Sequence, residues 1–445
     1  MKVNFKTLGC RLNEAELQTW AEQLRGHGYQ IAQVNDADCI VINSCAVTAE
    51  GARKSRQQIR KMHRENPAAK LVVTGCYASL EPTTVQNMLG VDLVIDNQDK
   101  DSLADKIIET YGDGDISMPH MATEPGAYAM FQRSRDRAFI KIQDGCRYRC
   151  TYCIVTVARG EERSRPITEL IDQVNDIYKQ GIQEVVLAGV HVGGYGSDIS
   201  TNLYDLVKAL LEETDIPRIR FASVEPWDLP EHFFELFENN RLMPHMHLPL
   251  QSGSDSVLRR MSRRCRQDTF KAIIENARAC HPDFNVTTDI IVGFPGETDQ
   301  EWQDSINYIN EIGFSHIHCF SYSDREGTKA YRLKDKVSGD IKKERMNQLN
   351  QAARKMRHDY LSRQIGQTVD VLWESGKQPH SNSQWLFTGY TPNFTKIETV
   401  SDVDLSGQIL ETTIIGQNEE RQQLIGTIDQ ELSIKLHPPI ALKTL

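Results

Sequence analysis

Three cysteines stand close together at Cys146, Cys150 and Cys153, within Asp144-Gly-Cys-Arg-Tyr-Arg-Cys-Thr-Tyr-Cys-Ile-Val155. Three thiolates at C-x3-C-x2-C spacing suit a cubane [4Fe-4S] cluster and leave its fourth iron open to a chelating ligand. With ten cysteines in 445 residues, such a triplet arises by chance in roughly 0.005 chains of this size. A structural zinc site is the alternative, but it normally wants a fourth Cys or His at short spacing, and none is near. A second triplet is dispersed: Cys10, Cys45 and Cys76 each follow the apolar end of a different β-rich run. In a parallel sheet such ends share one edge, where open α/β sheets bind ligands. Geometry alone leaves a second cluster and scattered structural thiols equally open. Cys39, Cys265, Cys280 and Cys319 have no partner spacing and read as buried hydrophobes. His245 and His247, and likewise His316 and His318, alternate along runs that read as strands. Period two puts each pair on one sheet face, where core packing and a cofactor contact both remain open.

The elements that must position these residues fall into three units, giving an α/β protein. Residues 1–111 alternate strands (3–8, 29–34, 39–43, 70–74, 91–95) with helices (14–27, 49–64, 81–89, 101–111). Val-Ile-rich strands separated by helices predict a doubly wound parallel sheet. Residues 112–132, rich in Gly, Asp and Pro, lack periodicity and read as a linker. Residues 133–363 repeat strand then helix six times, with strands at 139–142, 184–187, 219–224, 245–250, 285–292 and 316–322. Amphipathic stretches lie at 167–178, 203–213, 269–280 and 301–312, and 341–363 reads as one long helix. Six βα units make an open (βα)6 partial barrel, with Cys146 at its C-terminal mouth, where barrel active sites sit. Residues 366–435 switch to short strands (368–373, 385–390, 396–400, 408–416, 424–428), predicting a small antiparallel β-barrel.

Hydrophobic residues make up 39% and charged residues 25%, enough to build cores and exclude wholesale disorder. A formal net charge of -10 excludes a generally cationic nucleic-acid binder but not local basic patches. Residues 53–64 hold six Lys/Arg and no acid; 133–165 hold nine basic and four acidic residues; Arg259, Arg260, Arg263, Arg264 and Arg266 cluster further on. Patches beside both cysteine sets suit an anionic polymer, with a solvated helix face as the plainer reading of the first. Residues 366–435 carry ten acids against four Lys/Arg, so RNA contact there would rely on aromatics such as Trp385, Tyr390 and Phe394. No apolar run reaches the ~18 residues of a membrane span and no signal-peptide pattern opens the chain. A cytoplasmic protein with no membrane partner is expected.

The triplet Cys146, Cys150 and Cys153 on a partial barrel resembles the radical S-adenosylmethionine superfamily. The resemblance implies that the open iron chelates the methionine part of S-adenosyl-L-methionine, and that one electron cleaves its sulfonium to a 5′-deoxyadenosyl radical. It places Tyr152 near cofactor and cluster, Gly189 and Val190 against the methionine part, and Ile291 and Gly293, in the stretch 289–298, against the adenine. The two glycines of that stretch independently fit a close backbone approach.

A narrower resemblance covers essentially the whole chain. Thr7-Leu-Gly-Cys-Arg-Leu-Asn13, Asn43-Ser-Cys-Ala-Val-Thr48, Thr74-Gly-Cys-Tyr-Ala78, Gln143-Asp-Gly-Cys146, Ala158-Arg-Gly160 and His247-Leu-Pro-Leu-Gln-Ser-Gly-Ser254 look like the methylthiotransferases. Residues 366–435 are similar to that family's TRAM domain. The resemblance implies a second [4Fe-4S] cluster on Cys10, Cys45 and Cys76 that carries the sulfur. One S-adenosylmethionine methylates that sulfur, and a second supplies the radical that takes hydrogen from an unactivated carbon. No acid or base residue is assigned, because no side-chain base removes so weakly acidic a proton. Implied partners are tRNA, a low-potential electron donor of flavodoxin or ferredoxin type, and a sulfur source.

Family branches modify threonylcarbamoyladenosine or isopentenyladenosine in tRNA, or an aspartate of a ribosomal protein. Gly9-Cys-Arg-Leu-Asn13, Ser321-Tyr-Ser-Asp-Arg-Glu-Gly-Thr328 and Gly389-Tyr-Thr-Pro-Asn393 most resemble the threonylcarbamoyladenosine branch. Ile154-Val-Thr-Val-Ala-Arg159 departs from the family, which usually has Pro-Tyr before this region, and Thr156-Val157 could touch the acceptor. A non-catalytic iron–sulfur or zinc RNA-binding protein is the alternative of a different class.

Overall fold

The computed structural model describes residues 1–112, 136–375, 378–380 and 384–428. The expected linker at 112–132 therefore lies, apart from Gly112, outside the described residues, as does the stretch 429–435.

The N-terminal unit is a five-stranded parallel sheet in the order β2-β1-β3-β4-β5, formed by β1 (Lys2–Thr7), β2 (Gln30–Ile31), β3 (Cys39–Ser44), β4 (Lys70–Gly75) and β5 (Val91–Val94). Alternation along the strands divides two cores. Val3, Phe5, Val41 and Val72 meet Trp20 and Leu24 of α1 (Arg11–Gly26) and Leu103 and Ile107 of α5 (Leu103–Tyr111). Ile40, Ile42, Leu71 and Val73 meet Ala52, Ile59 and Met62 of α2 (Ala49–Glu65). This is the doubly wound arrangement expected. The strand expected at 29–34 is only two residues long, because a 3-10 turn starts at Val34. The helix expected at 81–89 is replaced by α3 (Cys76–Leu80) and α4 (Pro82–Gln86), since Pro82 cannot donate into a continuous helix and opens a new one.

The central unit contains β6 (Arg137–Lys141), α7 (Ile167–Lys179), β9 (Glu184–Ala188), α8 (Leu203–Glu213), β10 (Arg218–Phe221), β11 (His245–His247), α9 (Asp255–Arg260), α10 (Gln267–Cys280), β12 (Asn285–Val292), α11 (Asp299–Ile312), β13 (His316–Ser321) and α12 (Gly339–Ser362). Two three-stranded parallel sheets, β6-β9-β10 and β11-β12-β13, join at a thin seam. There Ile219 N–H donates to Arg241 O (2.8 Å) and Val224 N–H to His247 O (2.9 Å). The wall thus runs in chain order with β6 and β13 as its edge strands among the described residues, the open partial barrel expected. The fourth strand is shorter than the expected 245–250, ending before Pro249, which cannot donate to a ladder. The third unit carries a 3-10 helix, Phe233–Glu238, where an α-helix is usual. Ala138, Ile140, Val185, Leu187, Ile219, Phe221, Met246, Val286, Ile290 and Ile317 face the helices. The intervening residues line the lumen.

The C-terminal unit closes as a five-stranded barrel of β14 (Thr368–Trp373), β16 (Trp385–Tyr390), β17 (Lys396–Ser401), β18 (Ile409–Asn418) and β19 (Gln423–Thr427), with β15 (Gln378–Pro379) paired to β16. The expectation of a wholly antiparallel barrel is corrected at one seam, where β17 and β19 pair in parallel. Its loop 390–394 plugs the base of the central barrel. Arg220 donates to Pro392 O (3.0 Å), Arg218 to Tyr390 O (3.2 Å), and Asn285 Nδ2 to Asn393 O (2.6 Å). The Arg137 guanidinium lies 4.5 Å from the Tyr390 ring centre, and that of Arg220 4.7 Å from that of Phe394. Tyr390 and Phe394 are therefore spent on docking, which corrects their reading as RNA-stacking residues. Glu184 offsets part of the positive charge at this base: it is fully buried, 3.2 Å from Arg137 and 3.1 Å from Arg220. Burial opposes its charge, but Arg220, Arg137 and Arg218 hold its carboxyl down at about 2. Among the described residues no helix is long and apolar enough to cross a membrane.

Candidate active site

Beyond the C-terminal end of β6 the chain forms a small hairpin of β7 (Gln143–Asp144) and β8 (Arg163–Ser164), with α6 (Val155–Arg159) in the loop between them. Cys146, Cys150 and Cys153 sit in that loop, all free and half-buried. The loop demands glycine at Gly145, whose φ is +73° and where a Cβ would meet Glu161 O at 1.9 Å. Burial pushes the thiols of Cys146 and Cys153 up to about 12 and 11, so they stay protonated near neutrality unless a metal compensates their charge. Three thiols at one mouth fit an iron–sulfur cluster. Cys146, Glu162 and His191 offer polar atoms within 4.8 Å of one another. His191, however, is buried between Glu162 and Asp228; burial opposes its charge, but these carboxylates push its value up to about 9. Both its ring nitrogens face carboxylates, Nδ1 that of Glu162 and Nε2 that of Asp228 at 2.8 Å.

Tyr152 and Ile291 pack against the same cluster of Val257, Met261, Phe294, Tyr322 and Ala330, and burial raises the Tyr152 phenol. Gly189 and Val190 follow β9, as expected. Gln143 Oε1 accepts the N–H groups of Val190 (3.1 Å) and His191 (2.9 Å), while its Nε2 donates to Gly145 O (2.7 Å). Gln143 therefore ties the end of the second barrel strand to the start of the cysteine loop. Gly293 has φ +73° and its N–H donates to Glu297 Oε2 (2.8 Å). A Cβ there would lie 2.5 Å from Lys342 Cγ, so the close approach its glycine permits includes that of α12.

Cys10, Cys45 and Cys76 follow the neighbouring strands β1, β3 and β4 at one sheet edge. Gly9, at φ +98°, leaves room for Cys45: a Cβ there would stand 2.7 Å from Cys45 Sγ. Cys39 lies at the opposite end of β3, buried, as read from the sequence. Burial raises the thiols of Cys10 and Cys45, and Cys76 is close enough to act on both and, across the interface, on Cys153. The two triplets therefore face each other between sheet and barrel.

A buried polar joint holds that arrangement. Arg159 donates to Glu16 Oε1 (3.0 Å), Asp144 Oδ1 (2.8 Å) and Asn13 Oδ1 (2.7 Å). Glu16 also pairs with Lys100 at 2.6 Å, and Asn97 Nδ2 donates to Ala158 O (2.7 Å). Burial would raise the Glu16 carboxyl, but the Lys100 and Arg159 cations hold it down at about 2. Counting charges missed these roles: Arg159 and Arg137 belong to the basic run 133–165, yet both are buried and ion-paired. Arg147, Arg149 and Arg163 of that run also have acidic partners, while Arg133 and Arg135 lie outside the described residues. The basic-patch reading of that stretch is corrected for Arg137 and Arg159, which are buried. On α2, Lys54, Arg60, Lys61 and Arg64 line a groove with Leu8, just beyond Gly9-Cys10, although Arg53 and Lys54 pair with Glu50 and Lys61 with Glu65. Arg259, Arg264 and Arg266 are exposed, whereas Arg260 is paired with Glu301. Cys265 is buried and Cys280 and Cys319 are half-buried. Thr156 is tied to Tyr148 O at 2.7 Å, and its neighbour Val157 is 66% exposed.

An open parallel barrel with three cysteines at its mouth is the architecture of a radical S-adenosylmethionine enzyme. Residues 140–309 match the family model described as the radical SAM superfamily, and residues 2–96 match that of the uncharacterized protein family UPF0004. The solved structure of the radical S-adenosylmethionine methyltransferase TsrM from Kitasatospora setae superposes with a TM-score of 0.55 at 13% identity, covering 72% of each chain. The threonylcarbamoyladenosine tRNA methylthiotransferase MtaB of Bacillus subtilis is 34% identical, across 97% of this chain and 98% of its own length. Its namesake from Thermotoga maritima is 36% identical across 84% and 86%. A tRNA-2-methylthio-N(6)-dimethylallyladenosine synthase of Staphylococcus aureus is 31% identical across 92% and 82%. The chain belongs to the radical S-adenosylmethionine methylthiotransferase family. It is an enzyme whose cofactors are S-adenosyl-L-methionine and two [4Fe-4S] clusters, one of them auxiliary.

Proposed function

We propose that this enzyme transfers a methylthio group to carbon 2 of N6-threonylcarbamoyladenosine next to the anticodon of tRNA, giving 2-methylthio-N6-threonylcarbamoyladenosine. The observation that carries the reading is the facing of two cysteine triplets across one buried joint, in a chain whose 34–36% identical relatives bear that name. Cys146, Cys150 and Cys153 would hold the radical cluster, and Cys10, Cys45 and Cys76 the auxiliary one. Tyr152, Gly189, Val190, Ile291 and Gly293 would line the cofactor. When bound, these groups supply the homolytic chemistry needed at an unactivated C–H bond and the sulfur that replaces the hydrogen. The chain's own part is positional. Gln143 and Gly145 shape the cysteine loop, Arg159 locks sheet to barrel, and the docked C-terminal barrel closes the lumen at its base. A low-potential electron donor of flavodoxin or ferredoxin type and a sulfur source would serve it, in the cytoplasm.

Mass spectrometry of bulk tRNA nucleosides from a deletion strain tests the acceptor. Loss of 2-methylthio-threonylcarbamoyladenosine, with its precursor accumulating, is expected. An unchanged level, with loss instead of the isopentenyladenosine product or of a methylthiolated ribosomal aspartate, would overturn it.

A further inference from the structure

The lumen face of the last three barrel strands carries a polar cluster that no step above uses. His247 on β11, Asp289 on β12 and His318 on β13 bring one ring nitrogen or carboxylate oxygen each within 4.8 Å of one another. His247 is fixed at both nitrogens: Nε2 lies 3.2 Å from Asp289 Oδ1 and Nδ1 2.9 Å from Thr287 Oγ1. His318 packs edge-on against His316, with ring centres 4.6 Å apart, and is exposed. In register, Asp289 lies beside His318 and Ile291 beside Phe320.

Ile291 stands two positions beyond Asp289, a rise of about 7 Å. Ile291 shares its packing cluster with Tyr152, between Cys150 and Cys153. The polar cluster therefore lies one layer below the cysteine mouth. Phe320, on the same face, is 45% exposed although it sits on the inner wall. Among the described residues β13 is an edge strand, and His318 and Phe320 are exposed on its lumen face. A purine entering from that edge can stack on an exposed aromatic ring, as unpaired RNA bases do on proteins. Its N6 substituent would then run down the strand toward His318, Asp289 and His247. A threonylcarbamoyl group brings a carboxylate, a hydroxyl and ureido N–H groups, which match the His318 imidazole and the Asp289 carboxylate that His247 holds in place. An isopentenyl group offers no polar atom to His318 or to the remaining acceptor capacity of Asp289, and covering those groups without a partner is a basis for rejection.

We propose that His318 and Asp289, the latter positioned by His247, form beneath Phe320 the subsite that recognises a polar N6 substituent on the acceptor adenosine. This rests on the threonylcarbamoyladenosine reading above.

The test uses anaerobic holoenzyme and three anticodon stem-loop RNAs that differ only at the acceptor: threonylcarbamoyladenosine, isopentenyladenosine or adenosine. Binding is read by fluorescence anisotropy. Wild-type enzyme should prefer the threonylcarbamoyl RNA over the adenosine RNA by about tenfold or more, the scale of a charge-assisted hydrogen bond. His318→Leu and Asp289→Asn should each reduce that ratio below about threefold, whereas Phe320→Ala should weaken all three RNAs alike. His318 is exposed, so its variant remains informative if Asp289→Asn misfolds. Variants that keep the wild-type ratio would overturn the subsite alone. No preference in the wild type would instead overturn the acceptor reading on which it rests. Zinc or iron bound beyond the two clusters, and lost in His318→Leu, would overturn the proposal in favour of a metal site.

Discussion

Arg159 and Glu16 form an ion pair at 3.0 Å whose side chains are 2% and 1% exposed, although 143 residues separate them in the chain. Glu16 stands on the helix that Cys10 introduces, and Arg159 ends the helix that follows Cys153. One contact thus sets the two cysteine triplets relative to each other. A buried ion pair is a weak source of net stability but a strong constraint on geometry, because breaking it leaves a charge uncompensated.

Arg159→Met should lower the stability of the chain by about 3–5 kcal/mol in chemical denaturation, the range for stranding a buried partner. Arg159→Lys should not restore it, since three acceptors match a guanidinium fork and not a point charge. In both variants 5′-deoxyadenosine formation should outlast methylthio transfer, and chromatographic assay of both products checks this. Equal loss of both would place Arg159 in the barrel's own chemistry.

Gly9→Ala should remove one cluster selectively. The added Cβ would lie 2.7 Å from Cys45 Sγ, at a φ of +98° that other residues rarely adopt. Iron analysis after anaerobic reconstitution should fall from about eight to about four per chain. A full complement in the variant would show that Cys45 does not bind iron in this arrangement.

Glu184 makes the base of the barrel acid-sensitive. Its carboxyl is held at about 2 in the folded chain against 4.5 ordinarily. Below about pH 4.5 the unfolded chain takes up a proton that the native residue refuses, so this contribution is complete above that value and is lost as pH falls toward 2. Denaturation midpoints followed from pH 5 down to pH 2.5 should decline in wild type. They should decline less steeply in Glu184→Gln, which begins about 3–5 kcal/mol less stable because Arg137 and Arg220 lose their counter-charge.

Phe394→Ala should loosen the C-terminal barrel from that base. Lost ring packing against Arg137, Arg220 and His245 should cost about 2–3 kcal/mol. Limited proteolysis should then cut between α12 and β14 faster than in wild type; an unchanged rate would show that the main-chain hydrogen bonds of 390–394 hold the unit alone.

Much of this molecule is legible in the sequence because it is local. Cys146, Cys150 and Cys153 lie within eight positions, and strand–helix alternation alone specifies an open parallel wall. Cys10, Cys45 and Cys76 are dispersed, yet the rule that parallel strand ends share an edge collects them. What escapes is distant pairing. Arg137 and Arg159 count as surface cations until Glu184 and Glu16 are seen beside them. Gly389-Tyr-Thr-Pro-Asn393, a motif used to choose a substrate branch, is the plug of the barrel base, and its Tyr390 carbonyl and ring both face arginines. His247, Asp289 and His318 come from three strands, and period two gives only which face each occupies.

The most direct test incubates reconstituted enzyme with S-adenosylmethionine, a low-potential reductant and tRNA bearing threonylcarbamoyladenosine, then reads the nucleosides by mass spectrometry. Wild type should convert that nucleoside to its 2-methylthio derivative. The variant Cys10→Ala, Cys45→Ala, Cys76→Ala should release 5′-deoxyadenosine and leave the nucleoside unconverted. Methylthio product from the triple variant, or none from wild type, would contradict the two-triplet account.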